Sequence, residues 1–122
     1  PISSFLLNLG LESLALRVER HCANALAVAQ ALEADARIGW VNYPGLVSSK
    51  YHERAMKYMP NGTCGVISFG IRGGRAAATR FMDSLKLAAI GVGADLIRLS
   101  VGIEHIDDIL QDIFQALDTA CK

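Results

Sequence analysis

Between Phe5 and Ala34, apolar residues return every three or four positions. Leu14, Val18, His21, Cys22, Ala25, Val28, Ala29 and Leu32 fall on one face, while Glu12, Glu19, Arg20, Asn24 and Glu33 fall largely elsewhere. This period predicts a long amphipathic helix over about 5–34. Gly10 is where the pattern can bend or restart as two helices meeting at an angle. The period shortens in Arg37–Tyr43, a β-branched and aromatic run that reads as a strand ended by Pro44–Gly45. Proline also forces the residue before it, Tyr43, toward extended geometry. Ser48–Met59 reads as a short polar helix with Tyr51, Ala55 and Tyr58 or Met59 on one side, broken by Pro60–Asn61–Gly62. In the strand expected at Gly65–Ile71, Val66, Ser68 and Gly70 alternate against Ile67, Phe69 and Ile71.

Gly73–Gly74 opens a third helix through Leu85 with Ala77, Ala78, Phe81 and Leu85 inward. A glycine pair before a helix can cradle a phosphate, but the rest of the Gly-x-Gly-x-x-Gly spacing is absent, so a tight strand-to-helix turn is preferred. Lys86–Ile90 is a short apolar strand candidate, Gly91–Ala94 a link, and Leu96–Val101 a further strand. The last helix, Ile106–Cys121, turns Ile106, Ile109, Leu110, Ile113, Leu117 and Ala120 to one face. Asp107, Asp108, Gln111, Asp112, Gln115 and Asp118 fall mainly opposite. Asp107 and Asp108 in its first turn complement the positive end of the helix dipole. The order of elements predicts an α+β layered domain, a mostly antiparallel sheet with helices packed on one face.

Composition narrows the function. The 122 residues carry 12 Lys+Arg against 12 Asp+Glu and are 52% hydrophobic. Zero net charge provides no footprint for a nucleic-acid backbone or an anionic membrane, and the apolar content argues against disorder. No apolar run is long enough to span a bilayer, and PISSFLLNLGLESLALRVER lacks the basic start of a signal peptide, so a cytoplasmic location is expected. Cys22, Cys64 and Cys121 are odd in number and widely spaced, which fits reduced thiols in apolar settings better than a disulfide framework, a zinc site or a catalytic nucleophile. His21, among apolar neighbours and without a second ligand at metal spacing, reads as a boundary histidine with one satisfied nitrogen.

Arg98 is the position with the most chemistry. Alternation puts Ile97, Leu99 and Val101 on one face of its strand and Leu96, Arg98 and Ser100 on the other. A guanidinium within an apolar strand needs water or an anion. Its planar fork matches a carboxylate through two parallel hydrogen bonds, to which Ser100 can add a third. An arginine on the solvent face of an antiparallel sheet satisfies the same pattern.

Four ordered stretches, GLESLALRVERHCANALAVAQALE, VNYPGL, GVISFGIRGG and LIRLSVGIEHIDDIL, resemble the C-terminal domain of the pyridoxal-phosphate enzymes of cysteine and methionine metabolism, the cystathionine γ-synthase-like family. HERAMKYMPNGTCGVISFGIRGG is most similar to the O-acetylhomoserine sulfhydrylase branch. The resemblance implies the small substrate-side domain of a fold-type I enzyme over residues 1–122, with residues 5–34 as the domain-linking helix. The large domain that binds pyridoxal phosphate would lie outside the chain. It implies that Arg98 holds the α-carboxylate of an amino-acid substrate, with Ser100 and Gly102 supporting it. No catalytic, cofactor-binding or metal residue is expected in the chain itself. Lys86 corresponds to a structural strand edge, and Lys50, Lys57 and Lys122 sit in polar loops or a terminus. The full enzyme implied is a cytoplasmic, tetrameric transferase of methionine biosynthesis that expels acetate from O-acetylhomoserine and adds sulfide. The chain alone is expected to be inactive. The family carries a few tens of further residues between Ile90 and Gly91, so a discontinuity is expected there. The other reading of the residues is a free-standing α/β binding or oligomerisation module.

Overall fold

The computed structural model describes residues 1–87, 89–92 and 96–121, with backbone only for 89–92. Its elements are α1 (Ile2–Glu12), α2 (Leu14–Ala34), β1 (Ile38–Asn42), α3 (His52–Tyr58), β2 (Val66–Ile71), α4 (Gly74–Ser84), β3 (Ala89–Val92), β4 (Ile97–Ser100) and α5 (Ile106–Ala120). The four strands stand in the order β1-β2-β4-β3, every pair antiparallel. The α+β layered architecture expected from the pattern is the one observed.

The core lies between one face of the sheet and α2, α4 and α5. Ile67, Phe69, Ile97 and Leu99 of the sheet meet Ala25, Val28, Leu32, Phe81, Ile113 and Leu117 of the helices, all 1% exposed or less. Phe69 and Phe81 stand edge to face with ring centroids 5.8 Å apart, a geometry that adds about 0.5–1.5 kcal/mol to their burial. Gly73 and Gly74 turn from β2 into α4 with φ of 111° and 66°, left-handed values that explain the glycine pair as a turn.

Several boundaries moved. The first helical pattern does split in two, but at Ser13 rather than Gly10, which lies inside α1. Arg17 donates to the Ser13 hydroxyl and, at 2.9 Å, to the Gly10 carbonyl, bracing the join. Leu14 and Val18, expected inward, are exposed, and so is every residue of α1. The short polar helix begins at His52, with only Ala55 buried. The third strand runs Ala89–Val92 instead of Lys86–Ile90, because the backbone amides of Lys86 and Leu87 donate to the Asp112 carboxylate instead of a strand. β3 runs through Ile90 and Gly91, which pair with Leu99 and Arg98. Without β3, the edge of β4 would have no partner for its backbone groups. Of the cysteines, only Cys22 is buried. Cys64 is half-buried, and Cys121, just past the end of α5, is exposed. Ala88, the Gly93–Ala94 link and Lys122 lie outside the described residues.

Candidate functional site

Arg98 sits in the middle of β4, and strand register determines what surrounds it. Ser68 of β2 lies opposite on one side and Gly91 of β3 on the other, while Asn42 of β1 lies opposite Ser68. Directly opposed residues of antiparallel strands have Cβ atoms about 4.5–5.5 Å apart, so Asn42, Ser68 and Arg98 form a polar row across the sheet. Ser100, two residues along β4, shares that face, since Arg98 and Ser100 are exposed while Ile97, Leu99 and Val101 are buried. Trp40 closes one side: its indole lies over Gly70, where an added Cβ would stand 2.4 Å from Nε1. No helix covers this face, and Arg98 forms no ion pair among the described residues.

The position of β4 is held from behind. His21 Nδ1 lies 2.6 Å from the Val101 carbonyl oxygen; a carbonyl only accepts, so this nitrogen carries the proton. One His21 nitrogen is therefore satisfied, as a boundary histidine requires. Asn24, buried in α2, donates to the carbonyls of Gly102 and Glu104 at 3.0 and 2.9 Å. The Val101 amide donates to the Gly65 carbonyl at 2.8 Å. Together these bonds anchor the chain leaving β4. Burying an amide side chain is tolerable only when its polar groups find partners, which these carbonyls supply.

Sequence pattern had placed Asn24 and Asp112 among the polar positions of their helices, whereas both are buried. Asp112 caps the segment leaving α4: it accepts from the amides of Lys86 and Leu87 at 2.9–3.1 Å and from Gln115 Nε2 at 3.2 Å. Ser68 and Asn42 were not singled out from sequence. Alternation alone puts Ser68 on one face of its strand, but only pairing sets it beside Arg98.

Lys50, Lys57 and Lys86 are exposed, Lys50 over the Tyr51 ring and Lys57 over the Tyr58 ring. A lysine that forms an imine with a cofactor needs a setting that lowers its pKa, and none of these is enclosed. The described residues thus offer, in Arg98, a guanidinium exposed on a polar row of the sheet. They contain no cluster of three or more His, Cys, Asp or Glu able to hold a metal, and no helix among them is long and apolar enough to cross a membrane.

A sequence model of the family described as Cys/Met metabolism PLP-dependent enzyme matches residues 1–92 and 88–118. The chain belongs to this family. It is similar to the homocysteine synthase of Schizosaccharomyces pombe, 41% identical over 150 residues that take in 98% of this chain and 35% of the relative. Among solved structures it is similar to an O-acetylhomoserine (thiol)-lyase from Campylobacter jejuni, crystallised with pyridoxyl-lysine phosphate, at a TM-score of 0.85 and 38% identity over 92% of this chain and 31% of that one. The O-acetylhomoserine sulfhydrylase of Wolinella succinogenes superposes at a TM-score of 0.86 with 34% identity, over 93% and 37% of the two chains. The chain spans about a third of the length of the relatives it matches. The aligned stretch of the yeast relative is also longer, by about thirty residues, than the part of this chain it covers, and the two family matches meet at residues 88–92, in β3.

Proposed function

We propose that this chain is the substrate-side domain of a pyridoxal-phosphate-dependent transferase that makes homocysteine from O-acetylhomoserine and sulfide by γ-replacement, releasing acetate. Pyridoxal phosphate, when bound by the rest of the enzyme, supplies the sink for the electron pair left by proton removal. This chain contributes orientation. The Arg98 fork receives the substrate α-carboxylate through two charge-assisted hydrogen bonds, and Ser100 and Ser68 border the same anion. Holding the carboxylate fixes rotation about the substrate Cα, which sets the direction of the Cα–H bond that must break. His21 and Asn24 keep β4 in register while this happens. The observation that carries the reading is Arg98 standing without an ion-pair partner among the described residues, on an uncovered polar row, in a chain of this family. We further infer a cytoplasmic homotetramer, and a segment at β3 shortened relative to the relatives, with residues 89–92 closing the sheet in its place.

The test is homocysteine release from O-acetylhomoserine and sulfide by the protein carrying this chain, loaded with pyridoxal phosphate, compared with Arg98→Ala. Release by the wild type, with the loss in the variant falling mainly on KM, supports the reading. No release, or a variant with unchanged KM, overturns it. One observation favours a second reading, the free-standing binding or oligomerisation module: α1 exposes Ile2, Phe5, Leu6, Leu7, Leu9 and Leu11. A helix apolar over most of its circumference, with Ser4, Asn8 and Glu12 along one side, and fully exposed belongs inside a larger assembly. A species of this length alone that associates through α1, without visible absorbance on adding pyridoxal phosphate, would support that reading.

A further inference from the structure

Cys22 on α2 and Cys64 ahead of β2 are far apart in sequence and adjacent in the fold. The Tyr43 hydroxyl donates to the Cys64 carbonyl at 2.9 Å and lies 3.4 Å from the Cys22 carbonyl, so one side chain touches both backbones. A Cβ on Gly62 would stand 2.8 Å from Cys22 Cβ and 3.0 Å from its Sγ. One on Gly65 would stand 3.1 Å from His21 Cβ. Residues 62 and 65 therefore touch residues 22 and 21, with Cys64 bracketed between these contacts. Both cysteines line one cleft of about 330 Å³ together with His21, Thr63 and Val101. Cys64 is the more accessible, with its thiol donating to the Val66 carbonyl at 3.3 Å, whereas Cys22 is 8% exposed. Burial, and then the neighbouring Cys64, push the Cys22 thiol up from its ordinary pKa.

We propose that Cys22 and Cys64 form a dithiol modification site that hydrogen peroxide closes to an intramolecular disulfide, tying α2 to the segment that leads into β2. The Cys64 thiolate attacks one peroxide oxygen; the O–O bond breaks, the departing hydroxide takes a proton to become water, and Cys64 is left as a sulfenic acid. Cys22 sulfur then displaces the sulfenic hydroxyl, which leaves as a second water while the S–S bond forms. Two electrons and two protons pass from the thiols to the peroxide. The order of attack follows access, since Cys64 is half-buried and Cys22 buried. The bond would also brace the contact between α2 and β4, because His21, next to Cys22, holds the Val101 carbonyl at the end of the Arg98 strand.

Trypsin places the three cysteines in separate peptides, 21–37, 58–72 and 99–122. The experiment treats the intact protein, with the exposed Cys121 replaced in Cys121→Ser, with hydrogen peroxide, then alkylates and digests it without reductant. The expected product is 21–37 joined to 58–72, two hydrogens lighter than the sum and released by dithiothreitol. The joined product should be lost in Cys64→Ser, where Cys22 stays alkylatable. Cys64 recovered as sulfinic or sulfonic acid beside an alkylated Cys22 would overturn the proposal, as would alkylation of both. Cys22→Ser alters a buried position, so Cys64→Ser, with its circular dichroism compared to the parent, is the deciding variant.

Discussion

On the helix side of β2 and β4, Ile67, Phe69, Ile97 and Leu99 are sealed from solvent. On the other side of the same strands Arg98 and Ser100 are exposed and Ser68 half-buried. Adjacent residues thus do opposite work. The inner face supplies the burial that holds the sheet, at about 1.5–3 kcal/mol per large side chain, and the outer face supplies charge and hydrogen-bonding groups that contribute little to folding. Because the side-chain period of a strand is two, a slip of one residue would exchange the faces, burying the guanidinium and exposing Ile97 and Leu99. The inner face therefore fixes the position of Arg98 as firmly as it fixes the fold.

Substitutions on the two faces should separate activity from stability. Arg98→Ala has the largest expected effect, a fall of about 10² to 10⁴ in kcat/KM in the complete enzyme from the loss of two charge-assisted hydrogen bonds, with an unchanged urea midpoint. A shifted midpoint would mean that the outer face also carries the fold. Phe69→Ala, on the inner face of the neighbouring strand, should cost about 3–5 kcal/mol in urea unfolding through the cavity it leaves against Phe81. Asp112→Ala should cost about 1–3 kcal/mol by the same measurement, because the Lys86 and Leu87 amides lose their acceptor. The smallest effect belongs to the edge. Arg37, hydrogen-bonded to Asp35, holds that carboxyl below its ordinary range. A lowered folded pKa adds stability above the unfolded value of about 3.9, lost as pH falls through the folded one. Asp35→Asn should therefore cost at most about 1 kcal/mol at neutral pH and nothing in strong acid, read from urea midpoints at both.

The two terminal helices differ in the same instructive way. α5 segregates its faces, and Ile109, Ile113, Leu117 and Ala120 are buried as their spacing implies. α1 is apolar over most of its circumference, with Ser4, Asn8 and Glu12 along one side, and none of its residues is buried within this chain. An apolar arc this wide does not by itself select one inward-facing residue set. The break after α1 was similarly obscured, since Gly10 offers flexibility while the turn forms at Ser13, where Arg17 reaches back. Asn24 and Asp112 misled for another reason. A polar residue on a helix reads as solvent-facing unless its partners are known, and theirs are backbone groups roughly 80 and 25 residues away in sequence.

Local chemistry in the sequence determined the element order, the alternation that buries Ile97 and Leu99, the turn at Gly73–Gly74 and the outward direction of Arg98. These depend on spacing and backbone preference, which act over a few residues. Only the tertiary structure decided that Ser68 and Asn42 share the row of Arg98, that residues 89–92 close the sheet, that Asn24 and Asp112 are buried, and that Cys22 meets Cys64. Each of these is a pairing between distant segments, and such pairings are set by strand register and by the need to satisfy buried polar groups, neither of which leaves a period in the chain.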